Sequence, residues 1–592
     1  MRKYFFLSLL SIYFSITTFA IDVDYTLGMS RPNSHYFEVE MLISDNKAKT
    51  LQIKMPVWAP GSYLIREFAK SINRVNAVDG EGNALTVDKI NKNTWEINTQ
   101  KSKEIKITYE VYAFELSVRT SFLDDSHGYV NGTSIFMYLK DNKDVSGELK
   151  INPHPTFKKI STSLNKKEGT TYTYENYDQL VDSPIEIGNQ EIFTFDAAGV
   201  KHTVAMYGKG NYNVDQLKRD MAKVIEAETK VFGTNPNDEY LFIVHNLTNP
   251  SGGLEHKKST TLQVNRWTYQ GDDYLGFLSL VAHEYFHLWN VKRIRPKALG
   301  PFDYDTENYT DLLWVMEGFT SYYDELILRR AGFYSEDDYI AKLLGTINYV
   351  EGQPGNKVQP VAHASFDAWI KAYRYNENSV NTTISYYSKG QILAAILDLH
   401  IINKFRAEKS LDDFMQKLWN DFYIEKERGF TEQEFQTALE DFLQEDMDWF
   451  FDQFVYGTET PDYKKFFYAV GVEIIQSRAK ASPYLGVRTG QEGGKLVVQT
   501  VYAGSAAEAQ GISVNDEIIA INEFRVDQSS FTEMLDAFEV GDTFEVTLSR
   551  DNILLNYTIE MGARPHNRYS YGIDPTEASK KNFDYWLRVT EK

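Results

Sequence analysis

Leu275-Gly276-Phe277-Leu278-Ser279-Leu280-Val281-Ala282-His283-Glu284-Tyr285-Phe286-His287 is an apolar run that ends in His-Glu-x-x-His. On a helix, residues four apart lie on one face, so His283 and His287 would present two imidazole nitrogens to one metal at roughly 2.0 to 2.1 Å. Glu284 sits one step round the helix, beside that metal. From there its carboxylate would take a proton from a zinc-bound water, whose pKa the metal lowers to about 7. The same five residues also occur by chance on buried amphipathic helices, so the rest of the chain must supply the missing parts of a site.

The first missing part is a third ligand, because catalytic zinc is held by three protein groups with one position left open. A metzincin would place Gly at 290 and His at 293, where this chain has Asn290 and Arg293, so that reading is rejected. Downstream, Trp314-Val315-Met316-Glu317-Gly318-Phe319 falls in a run that reads as helix from near Thr310 to Gly332. Glu317 is the candidate: a carboxylate among such apolar neighbours is expensive unless something pairs with it. There are no cysteines, which excludes thiolate ligands, thiolate catalysis and disulfides, and leaves His and carboxylate to hold any metal.

Length and composition set the frame around the site. A chain of 592 residues exceeds one hydrophobic core and implies several domains, and 42% hydrophobic with 14% aromatic residues is the composition of a folded protein. A net charge of −21 argues against a nucleic-acid partner, which calls for clustered Lys and Arg. Residues 1–20 begin with Arg2 and Lys3, continue with an apolar segment from Tyr4 to Phe19 and end in the small residue Ala20. That is the layout of a secretory signal peptide, too short and too rich in Ser and Thr for a span of about 20 apolar residues. The expectation is an exported, periplasmic or extracellular protein with no stable membrane span after cleavage.

Residues 21–197 read as an antiparallel β domain. Phe37, Val39, Met41 and Ile43, and again Ile105, Ile107, Tyr109 and Val111, alternate with the residues between them, and Asp79-Gly80-Glu81-Gly82-Asn83 supplies a turn. From 198 to 475 the period changes. Leu217, Met221, Val224 and Ile225 closing at Gly233 read as a helix, Tyr240–His245 and Thr260–Val264 as strands, and a helical mass follows. Its caps are Ser335 with Asp338, Ser410 with Asp413 and Thr431 with Glu434, and Gly332 and Gly457 are its stops. Strands, then the His-Glu-x-x-His helix, then a helical part is the order of a thermolysin-like metallopeptidase domain.

Residues 476–563 return to short strands and glycine turns. Tyr484-Leu485-Gly486-Val487, then Gly504-Ser505-Ala506-Ala507, then Gly511 to Asn522 occur in the order of a bacterial PDZ domain, which the segment resembles from about Ala481 to Met561. The resemblance implies a loop at Tyr484, Leu485, Gly486 and Val487 that receives a peptide's terminal carboxylate, with the peptide added as a strand. A module packed only against its own chain is the alternative. Residues 564–592 form a C-terminal segment with a short helix around Tyr585, Trp586 and Leu587, whose docking site the sequence does not give.

Five motifs in order resemble the gluzincin zinc aminopeptidases, narrowed to the glycyl aminopeptidase family with a C-terminal PDZ domain. They are Met55-Pro56-Val57-Trp58-Ala59-Pro60-Gly61-Ser62-Tyr63, Gly252-Gly253-Leu254-Glu255-His256, the run from His283 to Asn290, Glu317 to Tyr323, and Tyr387-Ser388-Lys389-Gly390. The resemblance implies one zinc per chain on His283, His287 and Glu317, with Glu284 as general base. It implies Tyr387 as hydrogen-bond donor to the oxyanion of the tetrahedral intermediate, with Tyr386 the adjacent alternative.

Glu255 would pair with the free α-amino group of a peptide substrate, while Gly252 and Gly253 would let the substrate backbone approach. Better-known relatives have Gly-x-Met-Glu-Asn here, so His256 departs from the pattern and would either position Glu255 or contact substrate. A preference for small first residues such as Gly or Ala is implied by the family alone. A thermolysin-like endopeptidase and a PDZ-based peptide-binding protein or chaperone with an inert peptidase fold are the competing readings. His35, His127, His154 and His400 read as structural or surface residues. His245 is the one that would come near the site, and Arg293 and Arg295 would face a substrate carboxylate or serve the structure.

Overall fold

Phe37, Val39, Met41 and Ile43 stand directly opposite Val111, Tyr109, Ile107 and Ile105, so the two alternating runs legible in the sequence are neighbouring strands with one buried face. They belong to an eleven-stranded sheet in a computed structural model that describes residues 21–250, 252–477 and 482–588. The signal-peptide reading of Met1 to Ala20 lies outside the described residues. The sheet departs from pure antiparallel order at one place, where Asp22–Gly28 runs parallel to Gly147–Asn152. A four-stranded sheet closes the other side of the same core.

The catalytic unit is built on a five-stranded mixed sheet. Its order is Glu191–Ala197, Val200–Tyr207, Glu239–Leu247, Ser259–Asn265 and Gly252–Glu255. Glu191–Ala197, read from sequence as the end of the first domain, hairpins with Val200–Tyr207 instead and forms one edge of this sheet. The other edge is Gly252–Glu255, a strand that the sequence reading does not include among its strands. Gly252 turns the chain at φ +88°, and the next residues then pair antiparallel with the long strand beside them, Glu255 opposite Thr260. The three central strands are parallel, and the first two are joined by the crossover helix Val214–Phe232, with Asn213 as its cap and Gly233 as its left-handed stop.

Helices then take over. The capping boxes at Ser335, Ser410 and Thr431 all form, and Gly332 adopts φ +84° just past a helix end. Gly457 works differently: it is not left-handed, and a side chain there would come within 2.4 Å of the Asp452 carbonyl oxygen, so close packing rather than a left-handed cap requires glycine. The helix expected between Thr310 and Gly332 is two helices, Leu313–Met316 and Gly318–Arg330, joined at Glu317.

The PDZ segment is an insertion in this helical body. Val472–Ser477 leaves and Arg568–Ile573 returns as its antiparallel partner, with the sheet of residues 487–560 folded between them. The C-terminal helix Glu577–Leu587 docks into the catalytic core, where Trp586 is fully buried and its Nε1 donates to the Tyr322 hydroxyl at 2.8 Å. On the other side, Asn381 ties the PDZ segment to the catalytic unit, donating to the Val501 carbonyl and accepting from the Ala503 amide. In the expected carboxylate loop, Tyr484 pairs in a short strand with Gly562, Leu485 is buried, and Gly486 takes φ +81° against Ser505. Val487 opens an edge strand, Val487–Glu492. Among the described residues no helix is long and apolar enough to cross a membrane.

Candidate metal centre

The helix Gly271–Phe286 brings its apolar face, Phe277, Leu278, Val281 and Ala282, onto the core and leaves His283 and Glu284 at its last turn, with His287 just past its end. Three ligand atoms converge there. His283 Nε2 lies 3.5 Å and His287 Nε2 3.3 Å from Glu317 Oε2. The other nitrogen of each ring is engaged: His287 Nδ1 donates to the Asn290 carbonyl oxygen at 2.8 Å, and His283 Nδ1 bonds Asp324 Oδ2 at 2.9 Å. A carbonyl can only accept, so His287 Nδ1 carries a proton, and Nε2 is the nitrogen left to face a metal. Two imidazole nitrogens and one carboxylate, converging and held from behind, fit a zinc ion with an open position.

Each arm of the site has a local cause. Glu317 ends up here because the two helices break at it, and the break is pinned by Asn290, whose side-chain amide donates to the carbonyls of Val315 and Met316 and to Thr320 Oγ1. Asn290, three residues past His287, thus anchors the third ligand. Burial alone would raise Glu317, but His287 and His283 beside it hold it below the ordinary carboxylate range. For Glu284, burial wins over the pull of both histidines and pushes its carboxyl up. One of its oxygens, Oε2, is buried without a hydrogen-bond partner among the described residues.

Close approach of backbones positions the remaining groups. A side chain on Gly253 would come within 2.2 Å of Glu284 Oε1, so only glycine lets the edge strand lie against the general-base candidate. Gly318 and Gly390 let their helices touch backbone to backbone: a side chain on Gly318 would meet the Gly390 Cα at 2.4 Å. That contact sets the first turn of the helix Tyr386–Lys404 beside the metal cluster. Tyr387 lines the cavity, its ring 6.1 Å from that of His283, whereas Tyr386 is buried with no hydrogen-bond partner for its hydroxyl among the described residues. Burial and the Glu317 charge hold the Tyr387 hydroxyl well above the usual tyrosine range, which keeps it a donor.

The cavity of about 370 Å³ is lined by Glu255, Gly253, Glu284, Tyr387 and the three ligand candidates. Glu255 offers a carboxylate oxygen within 4.8 Å of those of Glu284 and of a His287 ring nitrogen. Other expected residues lie elsewhere. Gly252 acts as the turn, and His256 bonds Asp182 of the β domain at 3.1 Å instead of facing the cavity. His245 is also outside: with His127 it clasps Glu186 at 2.9 and 2.8 Å, all three fully buried, at the seam with the β domain. Arg293 is buried and structural, donating to the Leu288 carbonyl and to Asn237. Asp324, the partner of His283, was missed in the sequence although its seven-residue spacing from Glu317 sets both on one helix face.

Comparison with known proteins follows the same division. Residues 24–189 match the peptidase M61 N-terminal domain, residues 276–393 the M61 glycyl aminopeptidase family and residues 483–561 the PDZ domain. A solved structure of an aminopeptidase N family protein from Idiomarina loihiensis is similar over 95% of this chain and 100% of its own, at 30% identity and a TM-score of 0.89. An M1 zinc metallopeptidase from Deinococcus radiodurans, bound to a Tyr-Ser-Ala substrate, aligns with 75% of this chain and 95% of its own at 14% identity and a TM-score of 0.48. No curated protein matches in sequence.

Proposed function

This chain belongs to the M61 glycyl aminopeptidase family, and from that premise we propose that it is an exported zinc aminopeptidase that removes single residues from free peptide N-termini. Small first residues such as Gly or Ala are its preferred substrates. The observation that carries the reading is the place of Glu255, in the same cavity as the metal-ligand candidates and Glu284.

In this reading His283, His287 and Glu317 hold zinc. The metal, when bound, supplies Lewis acidity, lowering the pKa of water to about 7 and polarising a carbonyl. Glu284 takes the proton of the attacking water and passes it to the leaving amine nitrogen. Tyr387 donates to the oxygen that becomes negative as the carbonyl carbon turns tetrahedral. Glu255 pairs with the substrate's α-ammonium group and so sets the first peptide bond at Glu284. The free side of the edge strand Gly252–Glu255 accepts the peptide backbone as a further strand. At the PDZ module, the edge strand Val487–Glu492 and the loop at Tyr484–Val487 accept a peptide C-terminus by the same kind of addition.

Glu255→Gln tests the reading. A charge-assisted amine contact is worth about 1.5–3 kcal/mol, so kcat/KM on an alanyl or glycyl amide should fall by roughly 10- to 150-fold, with zinc content unchanged. An N-acetylated substrate should be a poor one for both proteins. Equal turnover of blocked and unblocked substrates would show an endopeptidase instead.

Asp324 acts one step back, holding the His283 ring. Asp324→Ala is expected to weaken zinc affinity by about 10- to 100-fold in a chelator competition, because metal-bound imidazoles depend on the acceptor at their other nitrogen. Unchanged affinity would remove that positioning role.

A further inference from the structure

Gly61 and Glu255 line a second, larger cavity of about 560 Å³ between the β domain and the catalytic unit, so Glu255 stands between it and the metal cluster. Six basic and five acidic side chains line this chamber. Arg293, 4% exposed, donates to neutral acceptors only, the Leu288 and Lys257 carbonyls and the Asn237 side chain, and its Nε has no hydrogen-bond partner among the described residues. The Arg295 side chain makes no hydrogen bond or ion pair among the described residues, although its backbone carbonyl accepts from the Phe430 amide. Its guanidinium lies over Gly300, where any side chain would come within 2.2 Å of Cζ. Lys257 is an exposed residue of the same lining, and its ammonium likewise has no partner among the described residues.

The chamber's own carboxylates do not neutralise these charges at contact distance. Asp182 is taken by Lys292 Nζ at 2.7 Å, by His256 Nδ1 at 3.1 Å and by the Lys257 amide at 2.9 Å. Asp178 accepts the Tyr304 hydroxyl at 2.8 Å and acts on Arg295 only from a distance. Glu175 and Glu427 are exposed at the rim. Arg295 is half-buried, and a guanidinium partly withdrawn from water gains from an anion, whose carboxylate form its planar fork matches. Trp58, Phe302 and Tyr423 supply apolar wall for the stem of such a ligand.

We infer that this chamber is a carboxylate-binding subsite in which Arg295 and Lys257 receive the acid group of a short acidic molecule. Two sources share that chemistry: the side chain of an acidic first residue whose amine rests on Glu255, which depends on the aminopeptidase reading, and a free dicarboxylate, which does not.

The test uses the full zinc-loaded chain, with Arg295→Gln and Lys257→Gln as variants and glycyl-amide hydrolysis and melting temperature as controls for folding. Calorimetric titration with glutarate, and hydrolysis of glutamyl against glutaminyl amide, are the two arms. Saturable glutarate binding that weakens about tenfold or more in the variants supports a free carboxylate. A glutamyl preference of about tenfold or more over glutaminyl that collapses in the variants supports the substrate side chain. Absence of both effects, or effects that survive both substitutions, overturns the inference. A chain that binds glutarate but hydrolyses nothing would sink the aminopeptidase reading and keep the subsite.

Discussion

Glu284→Gln will keep zinc and lose activity, with kcat/KM on an unblocked alanyl amide falling by about 10²- to 10⁴-fold, the usual contribution of a positioned general base. Three features set this expectation. Glu284 is not among the three converging ligand atoms, so the metal shell of His283, His287 and Glu317 survives the change. Its carboxyl is raised by burial and has one buried oxygen without a hydrogen-bond partner among the described residues, which suits a group that must accept a proton and give it back. Glutamine has the same shape, so packing against Gly253 is kept and only the proton acceptor is removed. Metal analysis alongside the rate separates the outcomes. Loss of zinc in the variant would make Glu284 a structural ligand, and retained activity would take the base role away from it.

Tyr387→Phe should cost about 10²- to 10³-fold in kcat with KM little changed, because the hydroxyl is asked to donate only when the carbonyl oxygen becomes charged. Tyr386→Phe is the paired control. The two rings stack at 4.8 Å, yet only Tyr387 opens into the cavity, while the Tyr386 hydroxyl is enclosed. Activity lost in Tyr386→Phe and kept in Tyr387→Phe would reverse the assignment. Steady-state kinetics on the two single variants decides it.

The parts of the site that follow from local spacing were legible in the sequence. Two histidines one helical turn apart, with a glutamate between them, need only a helix to converge, and Glu317 stood out because its apolar neighbours made an unpaired carboxylate costly. Pieces that depend on distant pairing were not. Gly252 and Gly253 disfavour a strand by composition, so local sequence gives no sign of the edge strand, whose hydrogen bonds come from Ser259–Asn265. The same reason moved Glu191–Ala197 from one domain to the next.

Asp324 and Asn290 were missed because their roles are defined by what they hold: one orients a ligand ring, the other pins the helix break at the third ligand. The acidic partner of His256 and the chamber beyond Glu255 draw on residues from both domains, so nothing in either segment alone announces them. Trp586 was legible as part of a short helix, and its burial against Tyr322 was not.

The central claim is that Glu255 makes this zinc site an exopeptidase. It is tested most directly by incubating the zinc-loaded chain with an alanine-rich peptide, free or N-acetylated, and following the products by mass. The account predicts a ladder in which the free peptide shortens from its N-terminus one residue at a time while the acetylated peptide stays intact. Internal fragments, formed from both peptides at similar rates, would contradict it.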